Sequence, residues 1–311
     1  MKAVILAAGI GRRMRPFTDR MHKTLLPIAG TTILGRIVDS LRACGVEDVT
    51  VVTGYRDAEL RAFLAERYPD ARFSYVHNPR YRETNNIASL ALVLAGPPAR
   101  DDVLLIESDL IYEPEVIRRL VDAPPGNVAL VDRYGPGMDG TVVAVEGGVI
   151  AHVYPPHLQG EKFDFGDKFK TLNIYRFTRE FWNGTLARLI TCWASLDESC
   201  YYEHVLGMIV YMQRERVHAL DVAGGTWAEV DDPNDFNVAR FKFNPGERAE
   251  ILERARGGFW SFDVLDFSLM RSARFPTPGI LSALREALPR LLQTYGSAQA
   301  ALDEKLAYFL L

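Results

Sequence analysis

Two groups of side chains in this sequence have the types and spacing for chemistry on an anion. The first is Gly9-Ile10-Gly11-Arg12-Arg13-Met14-Arg15-Pro16, followed by Lys23 at the head of Lys23-Thr24-Leu25-Leu26-Pro27-Ile28. Small residues let backbone N–H groups approach an anion closely, and cationic side chains neutralise what the backbone cannot. A glycine pair alone is a common turn, and Lys23 alone also reads as a solvated loop lysine. The dinucleotide fingerprint needs a third glycine opening a helix, whereas Met14 and then Arg15-Pro16 stand there. A Walker A loop fails for want of Gly-Lys-Ser/Thr. The second group is Asp109, just past a buried apolar run, and Asp231, inside Glu229-Val230-Asp231-Asp232-Pro233. Carboxylate oxygens are hard ligands that suit Mg²⁺, and two aspartates at separate strand ends can converge on one ion. Taken alone, each also reads as a helix cap or turn residue. Asp232 and Asp235 read as N-caps of the following helix.

The elements that must position these residues follow from apolar periodicity. Residues 2–8, apolar throughout after Lys2, have the pattern of a strand buried on both faces, broken at Gly9. Helix periodicity follows over 33–44, a strand over 49–53, a helix over 58–68 and a short strand over 73–76. A helix over 87–94 is entered from Thr84-Asn85-Asn86, and residues 103–106 read as a strand running into Glu107-Ser108-Asp109. Strands alternating with helices predict a Rossmann-like α/β fold: a mostly parallel central sheet flanked by helices. Short strands at 128–131, 142–145 and 149–153 predict a small antiparallel insertion. Helices are expected over 181–190 and 201–212, and closing strands over 217–222 and 227–230. The predicted domains are a catalytic domain over 1–245 and a helical C-terminal extension over 246–311, with a boundary near Gly257-Gly258.

Leu6-Ala7-Ala8-Gly9-Ile10-Gly11-Arg12-Arg13-Met14, taken with Lys23-Thr24-Leu25-Leu26-Pro27-Ile28, resembles the signature of the nucleotidyltransferases that make activated sugars and alcohols. The resemblance covers roughly residues 1 to 245. It implies a nucleoside triphosphate held over the strand ends, with Leu6, Ala7, Ala8, Gly9, Gly11 and Arg12 as nucleotide-binding positions. It implies that Arg13 binds the leaving phosphates, that Lys23 neutralises the reacting phosphoryl group, and that Asp109 and Asp231 hold Mg²⁺.

The segment 77–90, with Asn85-Asn86 opening a helix, resembles the cytidylyltransferase branch that acts on phosphocholine and on 2-aminoethylphosphonate. Asn amides offer donor and acceptor enough to read a cytosine edge, and they are equally good N-caps. CTP is the expected nucleotide. For the acceptor, Lys168 and Lys170 fall at the start of a strand whose Lys-Thr-Leu-Asn-Ile-Tyr resembles the 2-aminoethylphosphonate enzymes, and of the two Lys170 is preferred to grip an oxyanion. Trp193, Tyr201, Tyr202 and Glu203 combine aromatic and acidic groups that suit an ammonium ion, or else pack a helix into the core. The implied reaction is Mg²⁺-dependent transfer of CMP from CTP to 2-aminoethylphosphonate or a close phosphonate, releasing pyrophosphate. Phosphocholine or another phosphate monoester is the alternative acceptor, a uridylyl or thymidylyl transfer to sugar phosphates comes third, and a silent nucleotide-sensing module is a separate class.

Composition bounds the rest. The 311 residues are 48% hydrophobic and 24% charged with a net charge of −4, so the chain has material for a large core and lacks the basic footprint of a nucleic-acid binder. Cys44, Cys192 and Cys200 form neither a disulfide framework nor a zinc pattern. No apolar run is long enough to span a membrane, and a soluble cytoplasmic protein is expected. Residues 262–268, 275–278, a helix over 279–292 and the stretch 300–311 resemble the beginning of a fold-type I aminotransferase, which implies a fused or associated aminotransferase as partner. A homodimer is left open.

Overall fold

The buried run at the N-terminus becomes Lys2–Ala7, the third strand of a nine-stranded sheet. In this computed structural model the described residues are 1–135, 137–255, 262, 264–265, 274–294 and 299–310, with side chains through 307. The sheet order is Phe73–His77, Asp48–Thr53, Lys2–Ala7, Val103–Glu107, Phe169–Phe177, Asn127–Arg133, Val217–Asp221, Val149–Tyr154 and Val142–Glu146. Lys2–Ala7 pairs in parallel with both Asp48–Thr53 and Val103–Glu107. Successive side chains of a strand face opposite ways. Accordingly Ala3, Ile5 and Ala7 enter one hydrophobic core while Val4 and Leu6 enter another. That double burial is why the run reads as continuously apolar rather than alternating.

The Rossmann-like reading holds for this parallel half; the other half is organised differently from expectation. Phe169–Phe177 runs antiparallel to both neighbours, and its first residues also pair with Val142 and Val143. The last five strands thereby close on themselves. Asn127–Arg133, expected within an antiparallel insertion, is a sheet strand lying parallel to Val217–Asp221. Only the hairpin Val142–Glu146 and Val149–Tyr154 fits the predicted insertion. Trp227–Glu229, expected to close the sheet, instead pairs antiparallel with Leu110–Tyr112, a strand the sequence reading did not contain. These pairings join segments about a hundred residues apart, which local periodicity does not encode.

Helices begin where capping chemistry allows. Thr32 accepts from the Gly35 amide at the start of Ile33–Ala43, and Asn85 accepts from the Asn86 amide at the start of Asn86–Leu94. Asp232 and Asp235 make a reciprocal capping box at Pro233–Phe243.

Residues 1–263 and 264–311 are separate compact units. In the first, Arg248–Ala255 follows Pro233–Phe243, and Phe262 packs edge-on against Phe241. In the second, Pro278–Gln293 and Gln299–Leu310 are helical, and Leu284, Leu288, Leu291 and Leu292 are exposed. Gly257-Gly258 and most of the 262–268 segment lie outside the described residues.

Candidate active site

A cavity of about 900 Å³ opens beyond the carboxyl end of Lys2–Ala7, where open α/β sheets place ligands. The Gly-rich loop forms one wall. Gly11 has φ +66°, and a Cβ there would lie 3.1 Å from Lys23 Cβ and from Thr18 Cγ2, so both backbone angle and space call for glycine. Met14, at the place of the missing third glycine, is fully buried and anchors the turn Arg12–Met14. Leu6, Ala8, Gly9, Gly11 and Arg13 line the cavity; Ala7 and Arg12 do not.

At the floor the Lys23 ammonium sits between two carboxylates, 2.8 Å from Asp231 Oδ1 and 3.4 Å from Asp109 Oδ2. The two-stranded ribbon explains the convergence: Leu110 is in register with Glu229, and the Val230 N–H donates to the Asp109 carbonyl at 2.8 Å. Arg13 Nη2 holds the other face of Asp231 at 2.7 Å. Burial works against the Lys23 charge, but Asp109 and Asp231 outweigh it and leave its pKa above the ordinary value. Burial likewise opposes ionisation of Asp231, yet Lys23 and Arg13 prevail and lower its pKa. Carboxylate oxygens of Asp139, Glu229 and Asp231 lie within 4.8 Å of one another. Asp231 belongs to this group and Asp109 does not; hard oxygen donors so grouped, with Asp231 held ionised, fit a magnesium ion.

Two further glutamates, which the sequence reading passed over, complete the electrostatics. Glu229 contacts Lys170 Nζ at 3.1 Å, and burial pushes its carboxyl up to about 7 despite that partner. Lys170 is 1% exposed and held beneath Gly140, where a Cβ would lie 2.6 Å from Nζ. Glu107 shares one amide with Glu203: Asn86 Nδ2 donates to Glu107 Oε1 and to Glu203 Oε2, each at 3.1 Å. Burial raises both carboxyls, and in Glu107 the charges of Asp109 and Glu203 add to it. A signal for both glutamates was present. Glu107-Ser108-Asp109 and Glu229-Val230-Asp231 repeat one spacing at two strand ends, and side chains two apart share a face.

The remaining predicted residues divide cleanly. Asn85 and Asn86 line the cavity, but both Asn86 amide hydrogens go to glutamates and its Oδ1 accepts from the Tyr202 amide at 3.0 Å. Asn85 donates to the Ser199 carbonyl at 3.2 Å. The pair therefore ties the start of Asn86–Leu94 to the start of Tyr202–Tyr211. Lys170 and Glu203 reach the cavity, whereas Lys168, Tyr202 and Trp193 do not. Lys168 pairs with Asp167, Tyr202 is fully buried in the core, and Trp193 packs against His204 with ring centroids 5.5 Å apart. No helix among the described residues is long and apolar enough to cross a membrane.

Comparison with known proteins gives this geometry its context. The chain is 32% identical over 310 residues to the CMP-5'-(3-aminopropyl)phosphonate synthase of Streptomyces rubellomurinus, covering 98% of this chain and 49% of that protein. It is 36% identical over 115 residues to the 2-aminoethylphosphonate cytidylyltransferase of Lancefieldella rimae, covering 37% of this chain and 45% of the relative. The chain spans about half the length of the first curated relatives it matches. Among solved structures it is similar in fold to the CTP:phosphocholine cytidylyltransferase of Streptococcus pneumoniae, with TM-score 0.61, 18% identity and coverage of 77% of this chain and 97% of that one. The inositol-1-phosphate CTP transferase of T. maritima gives TM-score 0.63 at 20% identity, with 83% and 96% coverage. The family model described as MobA-like NTP transferase domain matches residues 3–169, over half of the chain. With a glycine loop, a buried lysine and paired aspartates meeting at one cavity floor, the chain belongs to the MobA-like NTP transferase domain family of nucleotidyltransferases.

Proposed function

We propose that this chain transfers CMP from CTP to a short aminoalkylphosphonate, 2-aminoethylphosphonate or a close homologue, and releases pyrophosphate. An acceptor phosphonate oxygen attacks the α-phosphorus in line, the new P–O bond forms as the bond to the β-phosphate bridge breaks, and the electron pair leaves with pyrophosphate. A phosphonate dianion needs no strong base, so the protein's work is positioning and charge neutralisation. Lys23 opposes the charge that grows on the α-phosphoryl oxygens, and Arg13 meets the leaving phosphates. Asp109 and Asp231 would hold Mg²⁺, which when bound offsets triphosphate charge. Lys170 faces the acceptor oxyanion, and Glu203 faces its ammonium group.

The observation that carries this reading is the Lys23 ammonium clasped by Asp109 and Asp231 within the cavity that Lys170 and Glu203 also line. The relatives named for aminopropyl- and aminoethylphosphonate support the acceptor class. Phosphocholine is the second reading, supported by a matching choline-phosphate cytidylyltransferase of Haemophilus influenzae, 35% identical over 111 residues. A trimethylammonium group cannot donate a hydrogen bond and favours an aromatic cage; Trp193 stays off the cavity wall, while Tyr81, Tyr134 and Tyr201 line it. Pyrophosphate release should be measured for CTP, UTP, ATP and GTP, each with 2-aminoethylphosphonate, 3-aminopropylphosphonate, phosphocholine and glucose 1-phosphate. The expected maximum is CTP with an aminoalkylphosphonate. Faster turnover with phosphocholine moves the acceptor to the phosphate monoesters, and a maximum with another nucleotide removes the cytidylyl assignment.

A further inference from the structure

Asn173 has no place in the chemistry above, yet it lines the cavity from the middle of Phe169–Phe177, where Thr171, Leu172, Ile174 and Tyr175 are all buried. Side chains three apart on a regular strand face opposite ways, but Lys170 and Asn173 both reach the cavity. A bulge is the reason. Between Thr171 and Tyr175 this strand advances four residues while Asn127–Arg133 advances two, and Asn173 takes φ +53° within it. Asparagine tolerates that angle better than most side chains do. Thr171 Oγ1–H donates to Asn173 Oδ1 at 2.8 Å, and the Tyr175 hydroxyl donates to the same oxygen at 3.2 Å. Thr171 Oγ1 also lies 3.3 Å from the Thr141 carbonyl, the longer of its two contacts. With both lone pairs of Oδ1 taken, Nδ2 carries two hydrogens that meet no acceptor among the described residues. The side chain therefore offers the cavity donors only.

We propose that Asn173 binds the acceptor substrate: its amide, tied at Oδ1 by Thr171 and Tyr175, donates from Nδ2 to an oxygen of the phosphonate group. Its place in the sheet favours that oxygen over one of the nucleotide. Val103–Glu107 stands between the Asn173 strand and Lys2–Ala7, which leads into the glycine loop, whereas Lys170 lies on the same strand as Asn173. On its other side Tyr175 packs edge-on against Tyr202, the neighbour of Glu203, with ring centroids 6.2 Å apart. Along this path Asn173 comes between the cation proposed for the oxyanion and the acid proposed for the ammonium. A neutral donor there can take a phosphonate oxygen without placing positive charge beside that ammonium. Naming a phosphonate rests on the transferase reading.

Two variants with opposite structural faults test it. Asn173→Gly keeps the positive φ and removes the donor, together with the oxygen that Thr171 and Tyr175 hold. Asn173→Asp keeps that oxygen and the side-chain shape, and puts a carboxylate oxygen where the N–H groups were. Asn173→Gly should raise KM for 2-aminoethylphosphonate about ten-fold or more, because it removes a hydrogen bond to a charged group. KM for CTP and kcat should stay within about three-fold, since that charge is already present in the ground state. Asn173→Asp should lower kcat/KM for the phosphonate about 100-fold or more, by like-charge repulsion. Calorimetric titration with 2-aminoethylphosphonate, with and without CMP and Mg²⁺, should show weakening in the same order. A parent-like KM in a folded Asn173→Gly would leave Asn173 a turn residue and overturn the proposal. So would tighter phosphonate binding in Asn173→Asp, because the amide oxygen and not the N–H groups would then face the ligand. A rise in KM confined to CTP would move the hydrogen bond to the nucleotide and overturn it as well. If the parent turns over no substrate pair, the transferase reading fails and the titration decides alone. Phosphonate binding that both variants weaken then supports the proposal; no binding, or binding that neither variant changes, overturns it.

Discussion

At the scale of residues, the account turns on one cation between two carboxylates. Lys23 keeps Asp231 as its nearer partner when Asp109 is neutralised, and a Lewis acid or a placed cation is worth several kcal/mol in the transition state. Asp109→Asn should therefore lower kcat about 100-fold or more with little change in melting temperature. Lys23→Ala should act mainly on kcat, whereas Arg13→Ala should also raise KM for CTP, because Arg13 meets phosphates already present in the ground state. Steady-state kinetics on the three variants check this; small and equal KM effects would mean that the residues are peripheral. Lys23, Arg13, Asp109 and Asp231 were legible because glycines and cations after a buried strand make an anion site, and because the family signature is long. Glu107 and Glu229 were signalled only by the repeated Glu-x-Asp spacing at two strand ends. Their function depends on which strand lies beside which, and a glutamate at a strand end is by itself an ordinary residue.

At the scale of elements, the start of the helix Asn86–Leu94 acts as a buckle. The Asn86 side chain alone donates its amide to two glutamates and accepts at Oδ1 from the Tyr202 backbone N–H, across 21, 117 and 116 residues of sequence. Asn86→Ala removes all three hydrogen bonds and leaves buried acceptors and a donor unpaired, so stability should fall by about 1–3 kcal/mol in urea denaturation. The acceptor KM should rise more than the CTP KM, since Glu203 loses its orientation. Unchanged stability would contradict the buckle. Most element types could be read from the sequence: apolar runs bounded by glycine gave strands, and 3.6-residue periodicity gave helices. The pairings could not. Trp227–Glu229 looks like any short closing strand, and only the fold reveals that it pairs with Leu110–Tyr112 and so brings Asp231 to Asp109. The bulge between Thr171 and Tyr175, where Asn173 has φ +53°, was hidden for the same reason.

At the scale of the whole molecule, every residue proposed for the chemistry lies in the unit 1–263, which has its own two cores. Removing 264–311 should leave kcat within about three-fold of the full chain. A soluble, folded truncation without turnover would assign part of the site to the second unit. The central claim is bond formation between an acceptor phosphonate oxygen and the α-phosphorus of CTP. It is tested most directly by ³¹P NMR of the full chain with Mg²⁺, CTP and ¹⁸O-labelled 2-aminoethylphosphonate. A new pair of mutually coupled phosphonate and phosphate signals, isotope-shifted by an ¹⁸O in the bridge, should appear, and should be absent with Lys23→Ala. Release of free CMP with the phosphonate signal unchanged would contradict it.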